Sequence, residues 1–155
     1  MKLYLMRHGQ AEPSAANDSL RQLTEHGQKQ ARQAASWLAK TVQGPVSLWV
    51  SPYVRTQQTA TPIAQALAID IINHHGLMPD KSAQQVIDEL THQPQDIILV
   101  THLPLVGHLA SLLIEGRVFD QSWSPAEIWQ LQGEVFAAGC LEVLETWYPM
   151  DGSQS

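Results

Sequence analysis

Two kinds of hydrophobic pattern take turns along this chain. Short, nearly continuous apolar runs occur at Lys2-Leu3-Tyr4-Leu5-Met6, at residues 46–50 and at residues 96–101, with a weaker one near 69–73. Runs of that length without polar interruption suit strands buried on both faces, as in parallel sheets. Between them, apolar positions recur at helical spacing. Leu23, Ala31, Ala34, Ala35, Leu38 and Val42 define one helical face, with Thr24 as its N-cap and Gly44-Pro45 as its stop. Residues 53–67 predict a second helix that Pro62 should kink, residues 82–90 a short third, and residues 104–115 a fourth with proline in its first turn. Residues 127–132 and 140–147 then alternate apolar and polar side chains, the pattern of half-exposed strands joined by a loop.

This alternation predicts an α/β fold: a three-layer α/β/α sandwich whose central sheet is mainly parallel, with an antiparallel element near the C-terminus. At 155 residues and 44% hydrophobic content, the chain is long and apolar enough for one domain, expected over residues 1–149, with residues 150–155 as a short tail. No internal repeat, low-complexity tract or linker interrupts it. The net charge of -6 argues against nucleic acid or an anionic membrane as a partner, so a bound anion must be held by a local group of cations. Cys140, the one cysteine, excludes an internal disulfide, and is expected to be a small buried hydrophobe in a strand. The N-terminal apolar run meets Arg7 and His8 too early for a signal-peptide core, and residues 97–114 are broken by Thr101, His102, Pro104 and His108. A cytoplasmic monomer is the expectation.

The chemistry-bearing residues sit where strands end. Arg7-His8-Gly9 closes the first strand, Arg55 lies in Ser51-Pro52-Tyr53-Val54-Arg55-Thr56-Gln57-Gln58-Thr59 after the second, and His102 ends Val100-Thr101-His102. Open α/β sheets bind ligands at that edge, so Arg7, His8, Arg55 and His102 are expected to converge although far apart in sequence. Two guanidinium forks and a charged His102 would stabilise the equatorial oxygens of a phosphoryl group in transit. His8 would be the nucleophile, provided that one ring nitrogen donates to a fixed acceptor and leaves the other with a free lone pair. Arg21, just before the Leu23-Thr24 helix start, is a candidate substrate-binding residue at the rim. His26, His92 and His108 are read as structural or exposed. His74 and His75, being adjacent, cannot share one strand face, and no metal site is expected.

Together with Leu23-Thr24-Glu25-His26-Gly27-Gln28-Lys29-Gln30-Ala31, and in this order, these segments resemble the histidine phosphatase, or phosphoglycerate mutase-like, superfamily. Thr101-His102-Leu103-Pro104-Leu105-Val106-Gly107-His108-Leu109 and the small size resemble in particular its bacterial phosphohistidine phosphatases. The likeness runs from the first strand to Leu109, and no such motif follows Glu115. It implies a phosphoglycerate mutase-like fold and metal-independent hydrolysis without a cofactor, through a covalent phosphohistidine on His8. It also implies a histidine-phosphorylated protein as partner, either a phosphotransfer domain or a phosphocarrier.

One departure bears on the substrate. Many members carry an acidic residue after the third strand, shortly before a Leu-x-Pro sequence, to protonate the leaving oxygen. Here the neighbourhood reads Asn73-His74-His75-Gly76-Leu77-Met78-Pro79-Asp80, with His75 or Gly76 near the expected position and Asp80 just beyond. Loss of the acid harms ester cleavage, because an alkoxide leaves poorly without a proton. Imidazole, with a reference pKa of about 6.5, leaves as a neutral ring when its second nitrogen is protonated. No connection is long enough to form a cap domain, so an open site is expected. A small-molecule phosphomonoesterase or mutase of the same superfamily, or a non-catalytic phospho-dependent binding module, are the alternatives.

Overall fold

The computed structural model describes residues 1–150; residues 151–155, most of the expected tail, lie outside the described residues. In chain order the elements are β1 (Lys2–Arg7), α1 (Glu25–Thr41), β2 (Val46–Val50), α2 (Val54–Leu67), β3 (Ile71–Asn73), α3 (Ala83–Leu90), β4 (Asp96–Thr101), α4 (Leu105–Glu115), β5 (Ile128–Gln132) and β6 (Glu142–Trp147). The six strands form one sheet in the order β3-β2-β4-β1-β5-β6. Strands β1 to β4 pair in parallel, and β5 and β6 are antiparallel. The expected α/β sandwich is borne out.

Strand alternation sorts the apolar residues into two cores, which is why unbroken hydrophobic runs were needed. Leu3, Leu5, Trp49, Ile97 and Leu99 pack under α3 and α4. Their neighbours Tyr4, Met6, Leu48, Val50, Ile98 and Val100 pack under α1 and α2. Helix starts follow local chemistry: Thr24 accepts from the Gly27 N–H at 2.9 Å, and Ser82 caps α3 through the Gln85 N–H. Among the described residues no helix is long and apolar enough to cross a membrane.

Helix α2 has the expected extent and continues through Pro62 to Leu67, held on the sheet by buried Ala60 and Ile63. Several other local expectations change. Pro104 precedes α4 rather than lying inside it, and its bond to Leu103 is cis. The last two strands are not half-exposed. β5 lies between β1 and β6 and is largely covered, its Gln130 bonding the Tyr4 hydroxyl, whereas β6 is the sheet edge and is exposed along nearly its whole length. Cys140 is corrected as well: it is exposed in the turn before β6, beside Gly139 at φ +71°, and no strand buries it. Of the tryptophans, Trp49 and Trp123 are buried, and Trp129 stacks on Trp123 with ring centroids 4.4 Å apart.

Candidate active site

Register brings the two histidines together. β1 and β4 are adjacent and parallel with Arg7 opposite Thr101, so His8 and His102 leave the sheet side by side, and the His8 N–H donates to the Thr101 carbonyl at 3.0 Å. Their ring centroids are 5.3 Å apart. β2, the next strand, delivers Arg55 in the first turn of α2. Arg7, His8, Arg55 and His102 thus line one cavity of about 250 Å³, with Arg21 at its rim. None of the side chains lining it is a carboxylate.

Each group is held by specific partners. His8 is only 7% exposed, and its Nδ1 lies 2.6 Å from the Gly9 carbonyl oxygen, so Nδ1 carries the proton and Nε2 keeps its lone pair. His102 is buried, with Nε2 2.8 Å from the Ser51 hydroxyl and Nδ1 without a partner. Arg7 donates to the Trp123 carbonyl at 2.8 Å. Arg55 donates to the Asp18 carbonyl at 2.8 Å and to its carboxylate at 3.2 Å, while Arg21 donates to the other carboxylate oxygen at 2.8 Å. Arg7 Nε and Arg55 Nε, like His102 Nδ1, are buried and unpartnered. Buried donors normally find acceptors, and these three belong to residues that line one cavity.

Burial also sets the charge states. It lowers the His8 pKa to about 3, with the Gly9 hydrogen bond opposing and Arg55, Arg7 and Arg21 adding to the fall. His102 is lowered to about 2, first by burial and then by His8 and Arg55. By itself, desolvation among fixed guanidinium groups disfavours another positive charge, so burial favours the neutral imidazole of His102 over the cation expected from the sequence.

The helix-opening motif has a steric role here. Thr24 also donates to the Gln10 side chain, and Gln30 accepts from the Gln10 N–H at 2.8 Å, so α1 fastens the loop that follows His8. A Cβ on Gly27 would stand 2.0 Å from the Gln10 carbonyl oxygen, so only glycine permits this approach. On the other side, the Gly9 N–H donates to Thr59, whose hydroxyl bonds the Arg55 carbonyl.

Neither His75 nor Asp80 lines the cavity. Their segment is occupied structurally: Leu77 is buried and takes the Thr101 hydroxyl on its carbonyl, and His74 stacks on Trp49 and pairs with Glu89. His108 pairs with Asp120 outside the cavity, and His26 contacts Gln30. Sequence reading missed Asp18, Ser51, Trp123 and Glu127. Ser51 lay inside a quoted motif without a role, and the segment before β5 carries no pattern that points to Arg7. Among the described residues no group of three His, Cys, Asp or Glu side chains could hold a metal ion.

Comparison with known proteins agrees with this geometry. Residues 3–78 match the model of the Histidine phosphatase superfamily (branch 1). The chain is 36% identical over 144 residues to a phosphohistidine phosphatase SixA homolog of Haemophilus influenzae, covering 84% of this chain and 87% of that one. It is 30% identical over 125 residues to phosphohistidine phosphatase SixA of Escherichia coli, covering 76% of each. The solved structure of the protein histidine phosphatase SixA complexed with tungstate superposes with a TM-score of 0.85 at 27% identity, over 96% of this chain and 97% of that one. The chain therefore belongs to the histidine phosphatase superfamily and is a phosphatase.

Proposed function

We propose that the protein removes phosphate from phosphohistidine on another protein, a phosphotransfer domain or a phosphocarrier, in the cytoplasm and without a metal ion. The observation that carries this reading is the lining of the cavity: a nucleophilic histidine with its tautomer locked, three arginines, a second histidine and no carboxylate. Such a set stabilises a transferring phosphoryl group but offers no carboxylic acid to protonate an alkoxide. The SixA relatives named above support the same substrate class.

His8 Nε2 attacks phosphorus as the P–N bond of the substrate breaks, and the substrate imidazole departs neutral because its second nitrogen holds a proton. One P–N bond replaces another, so this step is close to balanced. Arg7 and Arg55 bind the equatorial oxygens. The proton of His8 stays on Nδ1, donated to the Gly9 carbonyl oxygen, throughout. The phosphorylated ring is therefore cationic, and water displaces phosphate from Nε2 to return neutral His8. The loop between β1 and α1 supplies the rim through Arg21, which Asp18 holds, and adds only one 3-10 turn, Asp18–Leu20, which leaves room for a side chain displayed on another protein.

The test is phosphate release from a histidine-phosphorylated phosphotransfer domain, beside a phosphoserine peptide and 3-phosphoglycerate, all in EDTA. Release from phosphohistidine with little from the esters is expected. Faster release from 3-phosphoglycerate moves the protein to the small-molecule branch, and binding without release on any substrate makes it a phospho-dependent binding module.

A further inference from the structure

We infer that Ser51 is a positioning residue that fixes His102 as the Nδ1–H tautomer, giving the phosphoryl site a neutral N–H donor beside the nucleophile. Ser51 follows β2 and is fully buried, with its Oγ 2.8 Å from His102 Nε2. Its own place is set from several directions: its N–H donates to the Val100 carbonyl at 3.2 Å, and its carbonyl accepts from the Thr56 hydroxyl at 2.8 Å and the Gln57 amide at 2.9 Å. The Tyr53 N–H donates to Ser51 Oγ at 3.4 Å, which uses the oxygen as an acceptor. Among the described residues the one acceptor within reach of the hydroxyl proton is His102 Nε2. If Nε2 carried a proton instead, Ser51 Oγ would have to accept it and the buried hydroxyl proton would be left without an acceptor. The ring proton therefore sits on Nδ1, since the hydrogen bond at one imidazole nitrogen decides the state of the other.

The ring has little freedom to turn. Tyr53 packs edge-on against it with centroids 5.0 Å apart, and His8 lies edge-on at 5.3 Å. His102 lines the cavity whereas Ser51 does not, and Nδ1 is the ring nitrogen left without a partner. Arg7 Nε and Arg55 Nε are unpartnered as well, so Nδ1–H joins a set of donors awaiting one oxyanion. A neutral donor stabilises that anion without placing a mobile proton where His8 Nε2 must stay unprotonated.

The tautomer stands independently of the substrate; its effect on turnover rests on the reading given above. The experiment records nitrogen-15 spectra of the histidine rings in the whole protein, with His102 assigned by its absence from His102→Asn. In the unsubstituted protein His102 is expected to be protonated on Nδ1, and Ser51→Ala should shift it toward Nε2–H. Ser51→Ala should also weaken binding of inorganic phosphate about tenfold and lower kcat by about 10²-fold, as for loss of one oxyanion donor. Ser51→Thr, which keeps the hydroxyl, should restore most of both. A proton on Nε2 in the unsubstituted protein overturns the inference whatever the variants do. Unchanged phosphate affinity in a folded Ser51→Ala protein overturns it too. Should the unsubstituted protein fail to hydrolyse phosphohistidine, the spectra and phosphate binding still decide the role of Ser51 separately from the substrate.

Discussion

The Arg7 guanidinium donates to the carbonyl oxygen of Trp123, 2.8 Å away in space and 116 residues later in sequence. Glu127 holds that segment in shape, its carboxylate accepting from the Ser124 N–H at 2.6 Å and from the Trp129 indole at 2.7 Å. Its carbonyl takes the Trp123 indole at 2.9 Å. The orientation of a site arginine therefore depends on residues well beyond the 3–78 stretch that matches the family model.

Glu127→Ala leaves two part-buried donors unpaired, which should destabilise the protein by about 1–3 kcal/mol and, by loosening Arg7, lower kcat by roughly tenfold. Denaturant melts and kinetics on the same sample check this. Arg7→Ala should invert the balance, with a smaller loss of stability and a larger loss of rate.

His8→Ala should abolish turnover and the acid-labile phosphoenzyme while keeping the circular dichroism spectrum, since His8 belongs to neither hydrophobic core. Residual hydrolysis by a folded His8→Ala protein would refute the assigned nucleophile.

Arg55→Ala removes a fork from the transition state and should lower kcat by about 10²- to 10³-fold with a modest change in KM. Arg55→Lys should recover little, because an ammonium cannot reproduce the paired contacts with Asp18 and phosphate. Steady-state kinetics of the two variants provide the comparison.

Burial lowers His8 to about 3 and His102 to about 2, against an ordinary 6.5. Across that window the unfolded chain binds protons that the folded chain does not, so stability rises with pH and is lost as pH falls below 6.5. Each histidine contributes a slope of up to about 1.4 kcal/mol per pH unit. Melts between roughly pH 7 and 5 should fall more steeply for the unsubstituted protein than for His8→Asn combined with His102→Asn. Parallel slopes would show that these rings do not stay neutral on folding.

Gly27→Ala places a methyl group against the Gln10 carbonyl, and the loop following His8 must shift. A loss of activity of tenfold or more, about 1.4 kcal/mol or more in barrier, is expected. An unshifted histidine-ring spectrum with full activity would show that the loop absorbs the methyl group without moving the site.

Much of the site was legible because its motifs are local. Arg7-His8-Gly9, the Arg55 helix start and His102 each end a strand, and parallel strands share one carboxyl edge, so their meeting follows from fold class alone. The charge of His102 was not legible, because it depends on desolvation by side chains from other segments. Asp18, Ser51 and Glu127 were equally hidden: an aspartate in a polar loop or a serine after a strand shows its partner only in three dimensions. Cys140 misled because apolar and polar alternation continues from the turn into β6, and nothing local separates an edge strand from a covered one.

By itself, the sequence determined the alternation of strands and helices, the two-faced burial of the parallel strands and the edge at which Arg7, His8, Arg55 and His102 meet, since hydrophobic period and chain direction are local properties. Tertiary structure alone decided that β6 is exposed, that burial disfavours a charge on His102, that Asp18 joins two arginines, and that the Trp123 to Glu127 segment aims Arg7. Each of these follows from which distant groups share a small volume, and therefore from dielectric and hydrogen-bond partners that no local pattern encodes.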